Sequence, residues 1–310
     1  MRKLILCLAL ISFCNYSFAQ LSLGDTAVQL MPLWAKGDKQ NYTYTKHKIK
    51  VQNRDTTLNE KAIFDIELSV LEETDSSYTM QWLYKDYKTT SKNPLAAKIG
   101  GVVKGLRIVY TTSDIGEVIE IVNQDEIQAS VTKMISVLKK EMSKLVTPEE
   151  MKTLDTVFAT AISSEAMQQS SMEDIAQYHL YYGAQFSLRD TITVKDIVQT
   201  QFGAAVESDI LLYVTAIDSA ANFCEINFEQ KFNPDAMKEA VTSYLTDLAR
   251  KMNAEPPTAA DIEDVGQLGK ETYNTSRIQL TTGWLNNAKN IEVSSVPNSK
   301  TIEILTLQKK

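Results

Sequence analysis

The hexapeptide Arg107-Ile108-Val109-Tyr110-Thr111-Thr112 returns near the other end of the chain as Arg277-Ile278-Gln279-Leu280-Thr281-Thr282. Both copies alternate at the period of two expected of a half-buried β-strand. Ile108 and Tyr110, like Ile278 and Leu280, take the inward phase. Arg107 and Val109, like Arg277 and Gln279, take the outward phase. Each copy reaches a glycine-containing turn, at Gly116 and Gly283, and resumes as a second alternating run. One copy predicts a hairpin. Two copies in matching contexts predict a duplicated β unit.

The flanking segments repeat in the same order. Residues 21–39, with Gly24, Pro32 and Gly37-Asp38, read as an irregular lead-in. Asn41 to Val51 alternates, with Tyr42 and Tyr44 on the face that also carries Lys46, Lys48 and Lys50. Phe64, Ile66, Leu68 and Val70 share a face, Glu73-Thr74-Asp75-Ser76 supplies a turn, and Tyr78, Met80, Trp82 and Tyr84 line the return strand. Pro94 to Gly101 is a short connector before the first Arg-Ile strand. In the second half Phe186 to Phe202 is β-rich, and Ile210, Leu212, Val214 and Ala216 alternate. Leu211, Tyr213 and Ile217 make the opposite face apolar too, which predicts a central strand covered on both sides. Cys224, Ile226 and Phe228 line its return strand, Asn233-Pro234 opens a helix, and 255–269 is a polar loop. The last strand is expected near Thr301 to Leu307.

Between the halves the period changes to about 3.6. Asn123 and Glu126 have capping-box spacing, followed by a stripe of Ile127, Val131, Met134, Ile135, Leu138 and Met142. Thr147-Pro148-Glu149-Glu150 starts a second helix, and Ser171 to Asp174 starts a third that stops at Gly183. The expected fold is α+β: two related antiparallel β-rich halves, a curved sheet or half-barrel, packed on helices at about 124–183 and 234–252. The divisions are 1–19 leader, 20–123 N-terminal half, 124–183 helical segment and 184–310 C-terminal half.

The leader is Met1-Arg2-Lys3, an apolar run from Leu4 to Phe13, then Ser17-Phe18-Ala19 before Gln20. That is the pattern of a secretory signal peptide cleaved after Ala19, too short to span a bilayer. The protein is therefore expected to be exported, to the periplasm or the exterior. Phe13 before Cys14 departs from a lipobox, so a cleaved protein is expected over a lipoprotein. Removing 1–19 takes two of the 32 basic residues and none of the 39 acidic ones. So acidic a chain, with no basic run, is a poor match for nucleic acid or anionic headgroups. Of three cysteines only Cys224 remains, which excludes an internal disulfide, so the fold must rest on its core.

Signs of catalysis are absent. His47 and His179 stand far apart, and no zinc, calcium, phosphate-loop or nucleophile-elbow pattern occurs. His179 follows Met172 and Ile175 on one helical stripe and reads as a packed, hydrogen-bonded histidine. Cys224, in phase with Ile226 and Phe228, reads as a small buried hydrophobe. No catalytic, metal or cofactor residue is expected. Tyr78, Met80, Trp82 and Tyr84 are the candidate ligand-facing side chains, against the plainer reading of a filled core.

Five tripeptides fit Asp-(Ser/Thr)-apolar or Asp-Thr-Thr, at Thr26, Thr56, Thr156, Thr191 and Ser219, where average usage gives about one or two. The pattern resembles the O-glycosylation acceptor of Bacteroidota, which implies these five hydroxyls as candidate glycan sites. The Ala19-Gln20 leader end, Gly37-Asp38 and Thr282-Gly283-Trp284 are similar to features of uncharacterised secreted Bacteroidota proteins. A looser, fold-level resemblance is to lipoprotein carriers of the LolA/LolB type. Together these imply a non-catalytic envelope protein that binds an apolar or amphiphilic ligand on a concave sheet face. Two alternatives stay open. One is a structural or interaction module with a fully packed interior that contacts envelope proteins, and the other is a hydrolase with an unmarked carboxylate pair.

Overall fold

A computed structural model describes residues 21–22, 26–144, 146–148, 151, 174–199, 205–251, 255–258, 269–296 and 298–310. The leader and most of the helix expected from Thr147 lie outside the described residues.

Most strands belong to one antiparallel sheet. In chain order these are β3 (Lys39–Gln52), β4 (Asp55–Thr74), β5 (Ser77–Thr89), β6 (Arg107–Ser113), β7 (Val118–Ile121), β9 (Thr191–Gln199), β10 (Ala205–Asp218), β11 (Phe223–Phe232), β12 (Gly269–Gln279), β13 (Leu285–Val296) and β14 (Ser299–Lys309). The spatial order is β7-β6-β5-β4-β3-β14-β13-β12-β11-β10-β9, a curved sheet that does not close. Long runs of alternating aromatic and β-branched residues specify such strands by giving each one apolar face. The fold is therefore α+β and dominated by antiparallel strands.

The order of elements recurs. β3, β4 and β5 precede helix α1 (Pro94–Val103), then β6 and β7. β9, β10 and β11 precede helix α4 (Pro234–Lys251), then β12 and β13. The two Arg-Ile strands, β6 and β12, each follow the helix and each pair back onto the strand before it. Ile108 faces Trp82 in one case and Ile278 faces Cys224 in the other. Ile108, Tyr110, Ile278 and Leu280 are buried as their phase predicts. Both arginines point outward into ion pairs, Arg107 with Glu126 and Arg277 with Glu225. β14 has no counterpart and joins the two runs by pairing with β3.

Four local expectations need correction. Val109 is in outward phase yet buried, because the entry to helix α2 (Gln124–Met142) folds over it. Its N–H donates to Asn123 Oδ1, so Asn123 makes no side-chain cap and the capping box does not form. The lead-in is partly extended: β1 (Leu21–Ser22) and β2 (Ala27–Gln29) form a small sheet with β8 (Gln185–Ser187). A bulge between Val214 and Ala216 shifts the phase of β10 and carries Ile217 to the Cys224 face. β10 is thus not a central strand covered on both sides. It lies one strand from the β9 edge, and Leu211 and Tyr213 are only half-buried.

The main core lies on the face bearing Tyr42, Tyr44, Trp82, Tyr84 and Tyr110, called here the inner face. Helix α3, residues 174–179, packs there through Ile175, Tyr178 and His179. A smaller cluster joins α4 to the far ends of β10 and β11 through Val206, Phe232, Met237 and Ala240. Among the described residues no helix is long and apolar enough to cross a membrane.

Candidate functional site

Helix α3 and the turn after it bring an aromatic knot onto the sheet. Trp34 lies between Trp284, Tyr182, Tyr78 and His179, with ring centroids 5.0 to 5.9 Å away. A carbonyl can only accept, so His179 carries its proton on Nδ1 and donates to the Gly116 oxygen at 2.8 Å. Its Nε2 then accepts from the Tyr110 hydroxyl at 3.0 Å. Burial lowers the His179 pKa to about 4, against the pull of the Gly116 carbonyl. The imidazole is a neutral packing element, as the helical stripe predicts.

The lowered pKa makes stability depend on pH. Between about pH 6.5 and pH 4 the unfolded chain holds a proton on this imidazole and the folded chain does not. Stability therefore falls as pH drops through that window, by about 2 kcal/mol at pH 5 and about 3 kcal/mol by pH 4. Urea unfolding at pH 7 and pH 5 is expected to show this loss in the wild type. A neutral His179→Gln variant should show a flatter profile.

The knot ends at Asp174, where a groove begins. The Tyr44 hydroxyl donates to Asp174 Oδ1 at 2.6 Å and the Tyr84 hydroxyl to Oδ2 at 3.1 Å. Lys46 Nζ reaches Oδ1 at 3.0 Å. The carboxylate side chain is only 12% exposed, so these three donors hold a charge that burial alone would penalise. Burial, and then the Asp174 charge, push the Tyr84 hydroxyl well above the usual tyrosine range.

Asp174 borders two adjoining spaces. The larger, about 320 Å³, is lined by Ala62, Tyr87, Ala96 and Leu305 together with Lys46, Lys48, Glu60 and Glu303 among others. Lys48 pairs with Glu303 at 2.6 Å, and Ser91 donates to Glu60 at 2.7 Å. The smaller, about 20 Å³, is lined by Trp82, Gln177, Tyr178, Asn274 and Asn290 among others. Leu305 borders both. The lining is amphipathic: apolar side chains and lysine stems stand beside charged groups.

The four candidate ligand-facing residues separate here. Tyr78, Met80, Trp82 and Tyr84 are all buried in the core. Trp82 borders the smaller space and Tyr84 anchors its carboxylate, whereas Tyr78 packs on Trp34. Nothing in the sequence marked Asp174, because a single acid at a helix start is unremarkable. Asn274 and Asn290 left a fainter trace, as polar residues in the inward phase of β12 and β13. Burial raises the Cys224 thiol to about 12, which keeps it protonated. His47 is half-buried on β3 and bonds Asn59 at 2.8 Å. Of the hydroxyls in the Asp-Thr/Ser pattern, Thr26, Thr56, Thr191 and Ser219 are exposed near strand ends, and Thr156 lies outside the described residues. Thr56 and Thr191 lie at the starts of strands.

No family model matches the chain, and no curated protein matches it. A solved structure concerned with lipid–protein interactions in lipovitellin is similar at 9% sequence identity and a TM-score of 0.41. The match covers 89% of this chain but 25% of that one, so this chain spans about a quarter of its length.

Proposed function

We propose that this is an exported, non-catalytic protein that binds an amphiphilic ligand in the groove beside Asp174. The observation that carries the reading is the amphipathic space of about 320 Å³ on the inner face, a volume at the lower end for small-molecule sites. A lining of apolar side chains beside charged groups suits a molecule with both characters better than a purely apolar one. The acids lining it are already engaged, Asp174 by two tyrosines and a lysine, Glu303 by Lys48 and Glu60 by Ser91. That arrangement supports binding over acid–base catalysis. The leader supports export, and the exposed Asp-Thr and Asp-Ser hydroxyls are its proposed glycan sites. The recurring order of strands and helix supports a duplication, with β14 as the added joint between two related halves.

Native mass spectrometry of protein exported by its own leader tests this. A stoichiometric, solvent-extractable amphiphile is the expected result. A clean ligand-free mass across independent preparations would sink the reading. That result would favour an interaction module, for which the exposed Ile192, Val194 and Ile197 of edge strand β9 are the natural contact. Any covalent mass beyond the chain from Gln20 to Lys310 reports on glycosylation in the same spectrum.

A further inference from the structure

One cross-strand row of the inner face departs from its surroundings. Register places Lys46, Leu305, Asn290, Asn274, Phe228, Leu212 and Ile192 side by side across seven strands. The two asparagines are neighbours within an otherwise largely apolar row, and both are buried. Asn274 Oδ1 accepts from Tyr181 and Ser276. Among the described residues no side chain bonds its Nδ2 or the Asn290 amide, and both side chains open onto the small chamber rather than being sealed from it. Buried amides on a sheet face are costly unless they are bonded.

A third side chain lines the same space. The Trp82 indole N–H is buried and without a hydrogen-bond partner, although it approaches the Tyr84 hydroxyl. Trp34 also has an unpartnered N–H, but aromatic rings pack around it and it borders none of these spaces. Trp82, Asn274 and Asn290 all line the chamber of about 20 Å³, which has room for a single polar oxygen. These groups are mostly donors, and the neighbouring Asp174 carboxylate disfavours an anion there. The chemistry that fits is a neutral carbonyl oxygen.

What lies on either side of the chamber identifies the rest of the molecule. Toward β3 are the charged groups Lys46, Lys48, Glu60 and Glu303. Toward β9 the row continues as Phe228 and Leu212, half-buried, and Ile192, 40% exposed, with Val194 beside it at 47%. Phe228 and Leu212 pack against the edge of the main core, and the smaller cluster under α4 lies farther along β10 and β11. From Asn274 to Ile192 is three strand spacings, about 14 Å, the length of a lauroyl-sized chain.

We infer that the groove takes an acyl amphiphile joined by an ester or amide. The carbonyl binds Trp82, Asn274 and Asn290, the acyl chain lies along Phe228, Leu212 and Ile192, and the polar head sits among the charged groups toward β3. The inference rests on the groove reading and adds the linkage chemistry to it.

The test compares 1-monolauroylglycerol with 1-O-dodecylglycerol, which has the same head and a matched tail but no carbonyl, by calorimetric titration below micelle-forming concentrations. The ester is expected to bind about tenfold more tightly. Asn290→Leu and Trp82→Phe should each reduce ester affinity to the ether level while leaving ether affinity unchanged. Two variants are used so that a folding defect in one, visible in its thermal midpoint, leaves the other. Equal ester and ether affinity in the wild type overturns the carbonyl site and leaves the groove standing. Variants that weaken both ligands alike also overturn it. Binding of neither ligand overturns the groove reading and this inference together.

Discussion

Replacing Gly283 with alanine is expected to destabilise the protein by about 3–5 kcal/mol, a large share of a typical domain's stability. Two independent effects combine. Gly283 has φ +72°, the left-handed region that costs a residue with a Cβ. A Cβ there would also overlap the Met31 carbonyl oxygen and lie 3.1 Å from Pro32 Cα. Both neighbours are backbone, so neither can turn aside. The Gly283 carbonyl accepts from the Tyr182 hydroxyl, and Leu33 N donates to Thr282 O. This turn therefore fastens the lead-in and the aromatic knot to β12 and β13. Urea titration should show a lower midpoint with the slope retained. A midpoint unchanged within error would mean that the turn relaxes freely, contrary to the packing.

Asp174→Ala is expected to cost about 2–4 kcal/mol, because it removes the acceptor shared by the buried hydroxyls of Tyr44 and Tyr84. The Lys46 partner adds little, since its side chain is 45% exposed and water replaces the contact. Asp174→Asn keeps acceptor capacity and is expected to cost about 1 kcal/mol. The ratio of the two losses, read from the same unfolding titrations, separates the two roles. Similar losses for both variants would mean that the negative charge matters most to the two tyrosines. A large gap would mean that an acceptor of either charge state satisfies them.

The periodic elements were legible in the sequence because burial of one face imposes a period of two on strands and about 3.6 on helices. The phases of Ile108, Tyr110, Ile278 and Leu280 follow from that alone, as do the placements of His179 and Cys224. Errors arose where a local pattern met a neighbour distant in sequence. Asn123 has the spacing of a capping residue, yet the Val109 N–H competes for its side chain. The bulge in β10 flips Ile217 to the other face, and a bulge leaves no mark in alternation counts. The four aromatics of β5 were visible as one face, but their division between core and groove edge was not.

By itself the sequence carried the residue pattern of a secretory leader and two strand-rich runs that each contain an Arg-Ile hairpin. These are properties of composition and short-range periodicity, which a chain carries before it folds. Tertiary structure alone decided that β14 bridges the two runs, that Asp174 meets Tyr44, Tyr84 and Lys46, and that Asn274 lies beside Asn290. Asp174 is 130 residues from Tyr44 and 90 from Tyr84. Contacts at such separations are set by the packing of one helix on the sheet and by strand register. Neither leaves a local signature in the residues that meet.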